Sequence, residues 1–359
     1  MPDDIPKIPR RRGRRNQPSN SSWRQQRLSS YRPVINAYTA FPWTTALGII
    51  CLAIGILLKF SVDHSLELVI KYTNCTTRTG ISADQITDFS YPDGSMQCHL
   101  SFSIAENYTG NVKFYYGLRE FYQNNRLYVE SRNDLQLLGN LDEVSGCDPL
   151  DYAEGFDNIT YAPCGFVANS MFNDSFQLLR HGELESFFVV PFTTRTMISE
   201  KVKKRKFRNP VQNGNETLCD AFRNTARPPW WQMDVCKLGA DAPGVGVAFE
   251  NIDFIMWMGT SALPNFRKLY RVLDREVDGF RDGLPSGMYT LVINYNYPAQ
   301  WKGAEKSFII TRETWIGARR PFLAFSYIAV GVFLLLVSIL FFIFYLKHRL
   351  LGKKEQAEA

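Results

Sequence analysis

Two long apolar runs constrain this chain more than any other feature. The first covers roughly residues 41–60 (FPWTTALGIICLAIGILLKF) and the second roughly residues 322–346 (FLAFSYIAVGVFLLLVSILFFIFYL). Each approaches or exceeds the ~20 residues that an α-helix needs to cross the hydrocarbon of a bilayer. Between them lie about 260 residues with six cysteines and five N-x-[ST] sequons. That arrangement predicts a membrane protein with two transmembrane helices flanking one large ectodomain.

Charge orients the prediction. Lys7, Arg10, Arg11, Arg12, Arg14, Arg15, Arg24, Arg27 and Arg32 precede the first run, against Asp3 and Asp4 alone. Lys347, Arg349, Lys353 and Lys354 follow the second, against Glu355 and Glu358. Basic flanks stay in the cytosol. The tails together exceed the net charge of the whole chain, +6, so the middle is net acidic. The expected layout is a disordered basic cytosolic tail (1–40), a first span (41–62), a lumenal or extracellular domain (63–320), a second span (321–346) and a short cytosolic tail (347–359). A cleaved signal sequence has a shorter apolar core placed nearer the N-terminus, so the first run reads as an uncleaved anchor. Lys59 can snorkel to the interface. The run Arg10–Arg15 reads as a tail on anionic lipid rather than a nucleic-acid site, because no aromatic or groove-fitting element accompanies it. No nucleic acid is expected as a partner.

Cys51 lies within the first span and reads as a small packing residue. Cys75, Cys98, Cys147, Cys164, Cys219 and Cys236 form an even set in an oxidising compartment, which implies disulfides. Six cysteines permit 15 connectivities. Sequential pairing (75–98, 147–164, 219–236) is the simplest, each loop contributing about 3 kcal/mol in the chain-entropy model. No C-x-x-C or neighbouring His pair supports zinc. The sequons are Asn74, Asn107, Asn158, Asn173 and Asn215, all inside the predicted ectodomain; Asn20 falls in the cytosolic tail and is expected bare. Asn74 is the weakest candidate, since it adjoins Cys75 and the membrane.

Within the domain, 288–297 (MYTLVINYNY) and 306–311 (KSFIIT) read as strands, joined as a hairpin through 301–304 (WKGA). Residues 111–116 (NVKFYY) read as a strand and 118–127 as a short helix; 249–258 (FENIDFIMWM) fits either. Dense turn signals at 92–94, 227–229 and 284–287 predict an antiparallel β-rich domain with irregular, disulfide-pinned insertions. The basic run 201–208 (KVKKRKFR) reads as a solvated loop or a protected edge strand, with a contact to lipid headgroups or an acidic partner as the sharper alternative.

Chemistry is sparse. The four histidines, His64, His99, His181 and His348, form no H-E-x-x-H. G-x-S-x-G and Walker A loops are absent. Gly244-Val-Gly246 lacks the third glycine of a dinucleotide fingerprint and reads as a loop. No cofactor is implied. In the spans, Gly48 and Gly55 share one helix face, and Gly331 and Ser338 repeat that spacing. Small residues let helix backbones approach closely, so these faces are the candidates for intramembrane packing, on each other or on another protein. No charge lies deep in either span, which argues against a substrate path through this chain alone.

The chain resembles the CDC50/Lem3 family, the accessory β-subunits of P4-ATPase phospholipid flippases. The resemblance rests on 25–28 (QQRL), 110–125 (GNVKFYYGLREFYQNN), 128–132 (YVESR), 162–174 (APCGFVANSMFND), 206–210 (KFRNP), 253–273 (DFIMWMGTSALPNFRKLYRVL), 284–289, 295–298 (YNYP) and 327–331 (YIAVG), in that order. It implies a non-catalytic subunit with a β-sandwich-like ectodomain. Its partner would be the P4-ATPase catalytic α-subunit, in a heterodimer. The subunit would be needed for exit of the pump from the endoplasmic reticulum, for its stability, and for aminophospholipid translocation to the cytosolic leaflet. The expected compartments are endoplasmic reticulum, Golgi, endosome or plasma membrane. The resemblance also implies a Cys147–Cys164 disulfide and a glycan on Asn173. Cys219 and Cys236 depart from the family pattern. A cell-surface receptor or adhesion glycoprotein is the competing expectation, and a membrane hydrolase a distant third.

Overall fold

The computed structural model describes residues 21–28, 36–73, 96–155, 159–182, 186–299, 301–315, 317, 319 and 321–357. Cys75, Asn74 and Asn158 lie outside them. Seven α-helices occur among the described residues: α1 (Ala37–Asp63), α2 (Arg126–Glu130), α3 (Phe166–Asn169), α4 (Glu200–Lys206), α5 (Leu218–Ala221), α6 (Ile252–Met258) and α7 (Phe322–Ala357). Thirteen strands accompany them: β1 (Leu66–Lys71), β2 (Met96–Ile104), β3 (Tyr108–Thr109), β4 (Val112–Arg119), β5 (Thr160–Tyr161), β6 (Ser175–His181), β7 (Phe187–Val189), β8 (Phe192–Thr193), β9 (Thr225–Ala226), β10 (Phe266–Leu273), β11 (Gly283–Leu284), β12 (Gly287–Tyr295) and β13 (Glu305–Arg312).

The chain divides into two compact units, a helical pair and a β domain. In the first, α1 and α7 are long and apolar enough to cross a membrane. Their side chains are mostly exposed, as expected of helices whose solvent is lipid.

In the second, a five-stranded sheet ordered β1-β13-β4-β10-β8 packs on a four-stranded sheet ordered β2-β12-β6-β7. All pairings within these sheets are antiparallel. The period-2 pattern explains the layers. Val112, Phe114, Tyr116 and Leu118 of β4, and Phe308 and Ile310 of β13, meet Phe176 and Leu178 of β6 and Tyr289, Leu291 and Ile293 of β12 in one core. The Phe176 ring lies 4.9 Å from Phe308 and 5.1 Å from Tyr270, which bridges the two layers. Each such fully buried large apolar side chain stabilises the fold by about 1.5–3 kcal/mol.

Three expectations fail locally. β12 and β13 are strands but not a hairpin. β12 pairs with β2 and β6, and β13 with β1 and β4. Both are buried along nearly their whole length, so each takes two neighbours in its own sheet instead of sharing an edge. Residues 118–127 are not a helix: β4 runs through Arg119, a turn follows, and α2 begins only at Arg126, where the Asn125 carbonyl Oδ1 accepts from Leu127 N–H. The basic run forms neither loop nor strand but the exposed helix α4, with Glu200 in its first turn and its basic residues toward the C-terminus, matching the helix dipole. Residues 249–258, open between helix and strand, contain α6, which Asn251 caps through Phe254 N–H.

Candidate functional site

The seam between α1 and α7 is built from the four small residues singled out in the sequence. A Cβ placed on Gly48 would lie 2.9 Å from Leu335 Cδ2, and one on Gly331 would lie 2.9 Å from the backbone N of Leu52. At Gly55 it would lie 2.9 Å from the backbone N of Ile328. Ser338 is buried at the same seam, its hydroxyl paired with that of Thr45. Phe41 against Phe342 and Tyr38 against Tyr345 extend it. The structure therefore uses these faces to pack the two helices on each other. Ile49, Ile56, Phe333 and Leu340 face outward.

In the β domain, Cys147 and Cys164 are joined, as are Cys219 and Cys236. Cys98 is also disulfide-bonded. The Cys147–Cys164 bond sits inside a polar clamp that composition does not reveal. Gln136, almost wholly buried, donates from Nε2 to the Tyr161 carbonyl (2.8 Å) and accepts at Oε1 from Cys164 N–H (2.8 Å). Ser131 Oγ accepts from Phe166 N–H (3.0 Å). Gly165 adopts φ +88° directly against the Ser131 carbonyl, where any Cβ would collide.

Two lysines are buried inside the domain, and Lys306 ties the layers together. Lys306 Nζ donates to Asp174 Oδ2 (2.7 Å) and the Tyr297 carbonyl (2.6 Å), and lies 3.2 Å from the centroid of the Tyr295 ring. Burial holds its pKa below the ordinary lysine value, and Asp174 offsets only part of that shift. Burial first, and then Asp174, push the Tyr72 hydroxyl well above its ordinary value. Lys268 closes the C-terminal end of α6, donating to the carbonyls of Met256 (3.2 Å), Trp257 (3.0 Å) and Gly259 (2.6 Å). Its pKa is pulled down by burial to about 7. The carbonyls and the helix dipole favour the charged form. In the first turn of the same helix, Asp253 forms a bidentate pair with Arg271 (2.5 and 2.9 Å).

Of the sequons, Asn107, Asn173 and Asn215 are described. Asn107 Oδ1 accepts from Ser286 N–H (2.7 Å). Asn215 lies in an exposed turn. Asn173 lines a cleft of about 600 Å³ together with Phe121, Trp230, Tyr297, Trp301, Gln232 and Asn296. Among the described residues no group of three or more His, Cys, Asp or Glu side chains could hold a metal ion.

The amino-acid sequence that builds this arrangement is similar to known proteins over nearly the whole chain. A family model described as LEM3 (ligand-effect modulator 3) family / CDC50 family matches residues 58–350. The chain belongs to the CDC50/LEM3 family. Cell cycle control protein 50A of Bos taurus is 36% identical over 336 residues, covering 92% of this chain and 90% of that protein. Cell cycle control protein 50B of Homo sapiens is 36% identical over 345 residues, covering 93% and 95%. Putative ALA-interacting subunit 4 of Arabidopsis thaliana is 27% identical over 338 residues, covering 93% and 91%.

As a CDC50-family chain it is a two-span membrane protein with a β-rich domain between the spans. The segments that carry the resemblance are the ones that make this architecture. Residues 162–174 supply Cys164, α3 and Asp174; 253–273 supply α6, Lys268 and β10; 295–298 supply the Tyr297 carbonyl that Lys306 needs. Gln136, Lys268, Lys306 and the aromatic cleft escaped the sequence reading. The hydrogen-bond partners of these three polar side chains lie 5 to 132 residues away along the chain, and no local pattern marks them.

Proposed function

We propose that this chain is the non-catalytic accessory subunit of a P4-ATPase phospholipid flippase. The observation that carries the reading is similarity over more than nine-tenths of the chain to a plant protein named as an interacting subunit. The family resemblance gives that partner as the catalytic α-subunit of a flippase. Two features support a supporting rather than a reacting role. The buried charges Lys306, Asp174 and Lys268 and the partly buried pair Arg271–Asp253 are all occupied by internal partners. Neither helix carries a charge at mid-depth.

In this reading both termini are cytosolic, residues 63–320 face the lumen or exterior, and Asn107, Asn173 and Asn215 carry glycans there. The subunit lets the pump leave the endoplasmic reticulum and supports its aminophospholipid transport. Since Gly48, Gly55, Gly331 and Ser338 are occupied by the seam, the outward faces of the spans and the surface of the β domain remain for the pump. An accessory chain shifts a transport cycle only by binding some of its states more tightly than others. Purification in mild detergent tests the assignment: a large co-purifying ATPase is expected. Recovery of the chain alone, or with a small secreted ligand, would favour a receptor. Affinity for the pump trapped in successive phosphorylation states tests the mechanism, and equal affinity in all of them would remove it.

A further inference from the structure

The cleft beside Asn173 has a composition unlike the rest of the surface. Its floor is aromatic. Trp301 donates its indole N–H to the Arg119 carbonyl (2.9 Å) and packs edge-on against Phe121 (5.3 Å) and Tyr297 (6.2 Å), so its ring is held in place. Trp230 is 68% exposed, an unusual position for the largest side chain. It is not loosely placed: it follows Pro228-Pro229, its backbone N–H bonds Asn169 Oδ1 (3.0 Å), and its neighbour Trp231 is anchored through Nε1 to the Ala168 carbonyl (2.8 Å). The polar part of the lining is amide rather than charged: Asn169, Asn173, Gln232 and Asn296. One exposed indole, Trp230, and one partly buried indole, Trp301, together with side-chain amides suit a sugar. Pyranose rings offer C–H faces to the negative face of an aromatic ring and hydroxyl and acetamido groups to amides.

The occupant is indicated by the wall itself. Asn173 is a sequon asparagine, and its Oδ1 is buried without a hydrogen-bond partner among the described residues. The other two sequon residues are fixed by the fold: Asp174 pairs with Lys306, and Ser175 Oγ accepts from Asn294 Nδ2 (2.7 Å). We propose that the cleft is the seat of the N-glycan carried by Asn173, with its proximal N-acetylglucosamine units lying against Trp230 and Trp301 and hydrogen-bonded to Gln232 and Asn296. The tether makes docking intramolecular, so a shallow site suffices to hold the sugar. The glycan then acts as a covalently supplied piece of the core, covering aromatic surface that the chain leaves open. This inference rests on the lumenal placement of residues 63–320.

The test uses the full chain with its partner in mild detergent, as wild type, Trp230→Ala, Asn173→Gln and the double variant. Glycopeptide mass spectrometry reads occupancy at Asn107, Asn173 and Asn215. Native digestion with peptide N-glycosidase then compares release at Asn173 with release at Asn107 in the same molecules. Release at Asn173 is expected to accelerate about tenfold in Trp230→Ala, a loss of about 1.4 kcal/mol of protection, with Asn107 unchanged. Trp230→Ala is also expected to lower the unfolding temperature in the glycosylated protein but not in the Asn173→Gln background. An unchanged release rate in Trp230→Ala overturns the proposal. So does an empty Asn173 beside occupied Asn107 and Asn215. If all three are bare, the lumenal placement falls with it. The release comparison stands even if Asn173→Gln fails to fold.

Discussion

Lys306 Nζ lies 2.7 Å from Asp174 Oδ2, and neither side chain reaches solvent. Asp174 also accepts at Oδ1 from the N–H groups of Asn296 and Tyr297 (2.7 Å each) and at Oδ2 from the Tyr72 hydroxyl (3.0 Å). One carboxylate therefore ties the start of β6, the exit of β12, the residue after β1 and the start of β13. Removing one member of such a pair leaves an uncompensated buried charge, at a cost of about 3–5 kcal/mol. Asp174→Asn, which keeps the sequon at Asn173, and Lys306→Met are each expected to abolish accumulation of folded protein. The monodisperse fraction on detergent size exclusion measures this. The double variant Asp174→Asn/Lys306→Met is expected to recover part of the yield, because no buried charge then remains.

The seam in the helical unit makes a separate prediction. With Cys51→Ser, Thr45→Cys and Ser338→Cys are expected to cross-link within one chain, since the two native hydroxyls are hydrogen-bonded. Adding Gly331→Ile is expected to suppress the bond. A Cβ there meets the backbone of Leu52, which cannot move aside as a side-chain tip can. Overpacking of this kind costs about 1–3 kcal/mol. Gel mobility under non-reducing conditions reads the result, and undiminished cross-linking would show that the helices do not meet at this face.

Lys268 gives the β domain a pH signature. Its folded-state pKa, about 7, lies below the value of an exposed lysine. Between about 7 and about 10.4 the unfolded chain therefore binds more protons at this site, so the contribution of Lys268 to stability rises with pH across that window. The penalty for burying the charge is complete below pH 7 and is relieved as the pH climbs. The difference in unfolding temperature, wild type minus Lys268→Met, is expected to increase from pH 7 to pH 10. A flat or falling difference would mean that the three carbonyls keep the ammonium charged throughout.

The two described disulfides close loops of the same length, 17 residues apart in sequence. The chain-entropy term is the same for both, about 3 kcal/mol. Their surroundings differ. Cys147 and Cys164 are buried within a small core with Val144 and Tyr161, and Gln136 bonds the backbone of Cys164. Cys147→Ala/Cys164→Ala is expected to lower the unfolding temperature, followed by tryptophan fluorescence, more than Cys219→Ala/Cys236→Ala. Equal losses would mean that the clamp around Gln136 adds nothing beyond loop closure.

How much of this was legible in the sequence depends on the range of each signal. The spans are spelled out by their own composition, and β4, β12 and β13 by alternation and β-branched content. Their partners are not. Alternation in 288–297 and 306–311 says that both are buried strands, but nothing local says that they belong to different sheets. Charge alone makes 201–208 a solvated run, whereas Ser199, Glu200 and the order of charge along it carry the helix signal. Lysine is the hardest case. Its composition predicts exposure, and only the folded arrangement of Asp174, Tyr297 and the end of α6 explains why Lys268 and Lys306 are inside.

The pairing of β1 with β13 sets a schedule. Leu66, among the first residues of the domain to leave the ribosome, has Arg312, near its end, as its ladder partner. At about 5–20 residues per second, synthesis of the intervening segment takes on the order of ten to fifty seconds. For that interval β1 has no strand to lie against, and the sheet stays open until translation has almost reached the second span. Any chaperone that attends the nascent chain thus meets an unclosed domain for nearly the whole of its synthesis.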